Sequence, residues 1–165
     1  MILTAIIVSD PELFACDACL DACGAVCFGE FFHATFPPFI VSQHLNINQL
    51  ELLTILVCLK LWQDRLRGSH VVILTDNQVS VYALNNQRSS NIFMQRCLRE
   101  LWLLLSLNNI RLSARHISGK SNVLADALSR FHLDSSYSDY VQHAVATLNL
   151  TQVFPSDSMF AFTVY

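Results

Sequence analysis

At 165 residues, 53% of them apolar and 14% charged, the chain is long enough for one well-buried domain and excludes a disordered polypeptide. No apolar run reaches the roughly 18 residues that a membrane span needs, and the richest, Leu50–Trp62, is interrupted by Glu51 and Lys60. A net charge of −3 speaks against a nucleic-acid binder. Yet all ten Lys and Arg residues lie between Lys60 and Arg130 with only four acids among them, so part of the surface can meet a polyanion.

Taken in order, residues 1–13 are a short apolar lead ending at the turn signal Ser9-Asp10-Pro11. The lead has no basic flank and too short an apolar stretch for a secretory signal, so the expected setting is intracellular, cytoplasmic or nuclear. Leu13–Cys16 reads as a strand ending in Asp17, and Cys23–Gly29 as a second strand paired back on it. Phe31–Ser42 supplies a third extended segment, bent at Pro37-Pro38 as suits an edge. Connections this short make an antiparallel meander.

A long helix follows, capped by Asn46 or Asn48, running to about Arg67 and stopped by Gly68. His70–Thr75 is continuously apolar after its first residue, the sign of a strand covered on both faces. Asn77–Asn86 and Asn91–Leu107 read as helices, Ile110–Ile117 alternates as a strand, and a short helix carrying Asp126 closes the set. The order predicts an α/β fold: a mixed sheet of about five strands, meander first and parallel strands after, flanked by helices. Residues 1–133 form the domain in this reading. The polar SSYSDY stretch marks a linker, with Val141–Leu150 offering two or three helical turns, so 134–165 is expected as a tail or the start of a truncated region.

Four of the six cysteines cluster as Cys16, Cys19, Cys23 and Cys27. Structural zinc sites pair two ligand couples across a longer loop, and this run is too compressed for that. Small buried thiols in a reducing compartment are the expected reading.

Four acids stand where an acid is awkward without a partner. Glu51 lies inside the most apolar helix, with no basic residue within a turn. An ionised carboxylate buried there needs a cation or a polar pocket. Asp76 follows the apolar strand, at the sheet edge where ligands bind in helix-covered sheets, or else caps the next helix. Asp17 ends the first strand, and Asp126 shares a helix face with Asn122. Hard oxygen ligands with no matching His or Cys set favour Mg²⁺ or Mn²⁺ over zinc.

Four motifs carry a resemblance. DACLDACGAV (from Asp17), NINQLELLTILVCLKLW (from Asn46), ILTDNQVSVYALN (from Ile73) and HISGKSNVLADALSR (from His116) resemble, in order, the motifs of the ribonuclease H domain of retroelement reverse-transcriptase polyproteins. The wording is most similar to gypsy or DIRS-like elements, and it covers roughly residues 12–132. The resemblance implies a ribonuclease H-like fold and catalytic, metal-ligating carboxylates at Asp17, Glu51, Asp76 and Asp126. It implies hydrolysis of the RNA strand of RNA–DNA hybrids with two Mg²⁺ or Mn²⁺ ions, Asp17 bridging both, Glu51 and Asp76 on one and Asp126 on the other. The implied partners are the hybrid and a polymerase domain of the parent polyprotein, with no membrane and no small-molecule cofactor. Candidate nucleic-acid contacts are Asn77, Gln78, Arg111, Arg115, Lys120 and Asn122.

Two departures stand out: Cys19 occupies a position where the family usually has Ser, and the loop before Asp126 is only Gly119-Lys120-Ser121 and lacks the mobile histidine of cellular relatives. His116, upstream of that loop, is expected as a half-buried strand residue. A catalytically inactive ribonuclease H-like module that tethers nucleic acid or serves structurally is the alternative. An integrase or transposase places its glutamate last, whereas here Glu51 comes second.

Overall fold

The computed structural model describes residues 13–163, so the expected turn at Ser9-Asp10-Pro11 lies outside the described residues. Three strands come first: β1 (Phe14–Ala18), β2 (Ala22–Cys27) and β3 (Glu30–Thr35), each antiparallel to the next. Asp17 sits within β1 rather than after it, opposite Gly24 of β2. Where a bent extended segment was expected, the chain after β3 makes a one-turn helix, α1 (Pro38–Val41). Proline at the first helical position gives up an N–H that would be unpaired anyway, so Pro38 starts a helix instead of merely breaking a strand.

The long helix α2 (Ile47–Leu66) begins at a reciprocal cap. Asn46 Oδ1 accepts from Gln49 N–H at 3.1 Å, and Gln49 Oε1 accepts from Asn46 N–H at 2.8 Å. Then come β4 (His70–Thr75), α3 (Gln78–Asn86), α4 (Ile92–Leu107), β5 (Arg111–His116) and α5 (Val123–Ser129). Strand β4 lies parallel to both β1 and β5.

Because successive strand residues face opposite sides, β1 divides two cores. Phe14, Cys16 and Ala18 join Cys23, Ala25 and Cys27 of β2 in the larger core, with α2, α4 and Trp62. Leu13 and Ala15 face the smaller one, with Leu124, Ala127 and Leu128 of α5. This register explains the cysteine cluster: Cys16, Cys23 and Cys27 are fully buried small side chains under α2, and all six cysteines are free thiols. The hydrogen bond with neighbouring Cys58, and then burial, keep the Cys16 thiol well above its ordinary range, and burial pushes Cys27 up to about 12. These are neutral packing groups.

Helix α5 lies directly on β2 at Gly24. A Cβ at that position would stand 2.4 Å from Leu128 Cβ and 2.7 Å from Ser129 N, so no side chain fits between strand and helix.

After Asp134 the chain differs from the expected linker and tail. Asp134 caps α6 (Ser135–Leu148), whose Val141 and Ala144 are buried in the smaller core. Thr151–Gln152 forms β6, parallel to β3, which completes a six-stranded sheet in the order β5-β4-β1-β2-β3-β6. Phe160, in a 3₁₀ turn (Asp157–Phe160), packs edge-on to Phe36 at 5.9 Å in the larger core. Glu100 anchors the end: it pairs with Lys60 at 2.6 Å and accepts from Thr163 N–H and Oγ1 at 2.9 and 2.8 Å. Burial opposes charge on Glu100, but these donors hold it below the ordinary carboxylate range.

The architecture is therefore α/β, a mixed sheet with helices on both faces, consistent with the ribonuclease H-like fold that the motifs imply. Among the described residues no helix is long and apolar enough to cross a membrane.

Candidate metal centre

The carboxyl ends of β1 and β4 and the first turns of α2 meet at one end of the sheet. Asp17 arrives there from the penultimate residue of β1, Glu51 from the second turn of α2, and Asp76 from the residue after β4. A carboxylate oxygen from each lies within 4.8 Å of the others. Together with Asp126, Asn77 and Arg130 they line a cavity of about 690 Å³ that also takes in Ala18–Asp21 and Leu133.

Each carboxylate is held differently. Glu51 is buried at 3% exposure; Oε1 accepts from Ala18 N–H at 3.2 Å, while Oε2 is buried with no hydrogen-bond partner. Desolvation, then the proximity of Asp17, raise its affinity for a proton well above normal. Asp17 is 4% exposed and Oδ2 accepts from Ser129 Oγ at 2.5 Å. Burial pushes Asp17 from 3.8 up to about 7 against the pull of that bond, and Asp76 and Asp126 add to the rise. Asp76, half-buried, is raised by burial and then by Asp126.

Helix capping does not account for Asp76. Asn77 caps α3, its Oδ1 accepting from Ser80 N–H at 2.8 Å, and its amide donates to Asn48 at 2.9 Å. The Asp76 carboxylate is left to face the cavity, with Gly119 so close that a Cβ there would stand 3.1 Å from Oδ2.

Asp126 opens on the same cavity but lies outside the three-carboxylate group. Its Oδ1 accepts from Arg130 Nε at 2.8 Å, one helical turn along α5. Ser129 and Arg130 are the residues that the motif reading left unassigned, although the i, i+4 spacing of Asp126 and Arg130 is the standard helical ion-pair distance.

The candidate nucleic-acid contacts separate. Asn122 is buried and its amide donates to the Cys16 carbonyl at 3.0 Å, tying the start of α5 to β1. Asn77 is engaged as described, whereas Gln78, Arg111, Arg115 and Lys120 are exposed. Arg115 and Lys120 flank the Asp76 end of the sheet. Arg111 lies at the other end of β5, four residues and about 13 Å away. His116 ends β5 exposed rather than half-buried, near enough to favour the charged form of Asp76.

An acid group this tight and this desolvated costs free energy when ionised unless a cation enters. The orphaned Glu51 Oε2 is the direct sign that the donor set fits one: a hard oxygen ligand is in place with nothing to bind. The buried group Asp17, Glu51 and Asp76 can hold a metal ion. No protein-family model matches this sequence, and a search of curated proteins returns no match.

Proposed function

We propose that the chain is a divalent-cation-dependent endonuclease of the ribonuclease H type, cutting the RNA strand of RNA–DNA hybrids as part of a gypsy- or DIRS-like reverse-transcriptase polyprotein. The observation that carries this reading is the convergence of Asp17, Glu51 and Asp76 around an unpartnered buried oxygen. Their order along the chain, on strand, helix and strand end, agrees with the motifs.

Asp17, Glu51 and Asp76 would hold Mg²⁺ or Mn²⁺, and Asp126 would join when Arg130 turns to a phosphate. Bound divalent ions would supply a water of lowered pKa and charge neutralisation at the leaving oxygen. The chain's own part is to fix the carboxylates before substrate arrives: Ser129 aims Asp17, Ala18 N–H aims Glu51, and Asn77 relieves Asp76 of capping. Arg115, Lys120 and Arg130 offer cations to the hybrid backbone around the cavity, a mode of binding that reads phosphates and 2′-hydroxyls rather than bases.

The test is incubation with labelled RNA–DNA hybrid and with double-stranded RNA, with and without Mg²⁺ or Mn²⁺, for the wild type and Asp76→Asn. Metal-dependent cleavage of the hybrid that Asp76→Asn abolishes, with its fold intact, supports the proposal. Cleavage retained in Asp76→Asn removes Asp76 from the site. Stabilisation by Mg²⁺ without cleavage would identify an inactive, tethering module instead.

A further inference from the structure

Cys19 parts company with the other cysteines of its cluster. Its thiol sits in the β1–β2 turn, where Cys19 N–H donates to the Ala22 carbonyl at 2.9 Å, and it lines the cavity mouth rather than the core under α2. Cys19 Sγ is 3.0 Å from Asp21 Oδ1, and Asp21 Oδ2 is 2.8 Å from His132 Nε2, in the turn that follows α5. One ligand atom from each of the three lies within 4.8 Å of the others. The His132 ring is backed by His33 at 5.2 Å between centroids, and His33 Nδ1 is 2.7 Å from the Leu128 carbonyl.

We propose that Cys19, Asp21 and His132 form a second metal site, selective for Zn²⁺ or a similar borderline ion, with one position open to water. Thiolate, imidazole and carboxylate together are a zinc ligand set, whereas magnesium takes oxygen donors. The 3.0 and 2.8 Å contacts are hydrogen bonds, shorter than the roughly 3.3–3.8 Å between ligands of a tetrahedral ion with bonds of about 2.0–2.3 Å, so the three side chains would part by roughly 0.5 Å as the metal replaces the bridging protons. Binding converts the Cys19 thiol to thiolate: the S–H bond breaks, a metal–sulfur bond forms, and the proton passes to solvent. The ion would clamp the β1–β2 turn, next to Asp17, to the end of the helix that carries Asp126, Ser129 and Arg130. The site stands apart from the nuclease proposal, since none of its ligands belongs to the group of Asp17, Glu51 and Asp76.

The experiment titrates the metal-free full chain with Co²⁺, then displaces it with Zn²⁺. The expected result is one Co²⁺ with a thiolate-to-cobalt charge-transfer band, bleached by Zn²⁺, and a rise in melting temperature with Zn²⁺. Cys19→Ser should lose the band. His132→Ala, its fold checked by circular dichroism, should bind at least about tenfold more weakly, since losing a ligand exceeds the 10–100-fold cost of losing a supporting residue. Asp17→Asn should keep the band, which separates this site from the acid cluster. No band in the wild type overturns the proposal. So does a band that survives Cys19→Ser, or affinity unchanged in His132→Ala.

Discussion

Ser129 Oγ lies 2.5 Å from Asp17 Oδ2 and 2.9 Å from the Asp126 backbone carbonyl, so one hydroxyl ties the Asp17 carboxylate to the helix turn that carries Asp126, 112 residues along the chain. Its single proton serves Asp17, the oxygen with the greater need, because Asp17 is buried in β1 and the Asp126 carbonyl already accepts from Arg130 N–H at 3.1 Å. Ser129→Ala removes the donor and strands a buried acceptor. The expected loss is about 1–3 kcal/mol of stability, read by urea denaturation in metal-free buffer. Without this bond the Asp17 carboxyl should titrate higher still, visible by NMR of its side chain.

The acid cluster fixes the sign of the pH dependence. In the unfolded chain Asp17 titrates at its ordinary 3.8, and in the folded protein burial raises this to about 7. Between those values the folded state binds more protons, so metal-free stability is full below about pH 4 and falls as pH rises through 7. Glu51 and Asp76, also raised, act in the same direction. The expected decline is on the order of 4 kcal/mol from Asp17 alone, measured by denaturation at a series of pH values. Millimolar Mg²⁺ should flatten it, as should Asp17→Asn. A metal-free profile that rises from pH 4 to 7 would contradict the site's electrostatics.

Arg130 competes with any cation for Asp126. Both partners are more than a third exposed, so the pair itself contributes little to stability, about 0–1 kcal/mol. Arg130→Met should therefore leave the melting temperature nearly unchanged without metal, while lowering the Mg²⁺ concentration needed for half-maximal thermal stabilisation. An unchanged Mg²⁺ midpoint would show that Asp126 takes no part in cation binding.

The acids were legible because burial contradicts charge: Glu51 in an apolar helix and Asp76 after an apolar strand each demand a partner before any coordinates are seen. Asn77, in contrast, could not be told from Asp76 as the cap of α3, since both are good caps and only geometry assigns the bond. The Cys19 turn was hidden for another reason. Its ligand partner His132 lies 113 residues on, and sequence spacing carries no trace of such a meeting. Of helix α6 only the part from Val141 on was read as helical; its first two turns passed for a linker because, of the whole helix, only Val141 and Ala144 are buried, which leaves too few apolar positions to show a helical period.

Gly24 sets how closely α5 approaches the sheet, and so where Asp126 and Ser129 lie relative to Asp17. Gly24→Ala places a methyl within 2.4–2.7 Å of Leu128 and of Ser129 backbone, contacts that no rotamer change relieves. Either α5 lifts or β2 bows. Overpacking of this kind costs about 1–3 kcal/mol, and the displacement should weaken Mg²⁺-dependent stabilisation as well. Leu128→Ala in the same chain removes the Cβ substituents but not the Cβ itself, so it should fail to rescue. Rescue would show that the side chain, not the helix backbone, sets the approach.

The segment after α6 is bound to the domain at several points, among them β6 on β3, Phe160 against Phe36, and Thr163 on the Lys60–Glu100 pair. Phe160 is the strongest, at 2% exposure in the larger core. Phe160→Ala should cost about 3–5 kcal/mol, the range for an aromatic truncated in a packed core. Thr163→Ala tests the third point and should cost about 1 kcal/mol, since Glu100 keeps Lys60. If Phe160→Ala left the denaturation midpoint unchanged, the segment would be an appendage lying on the domain rather than part of its core.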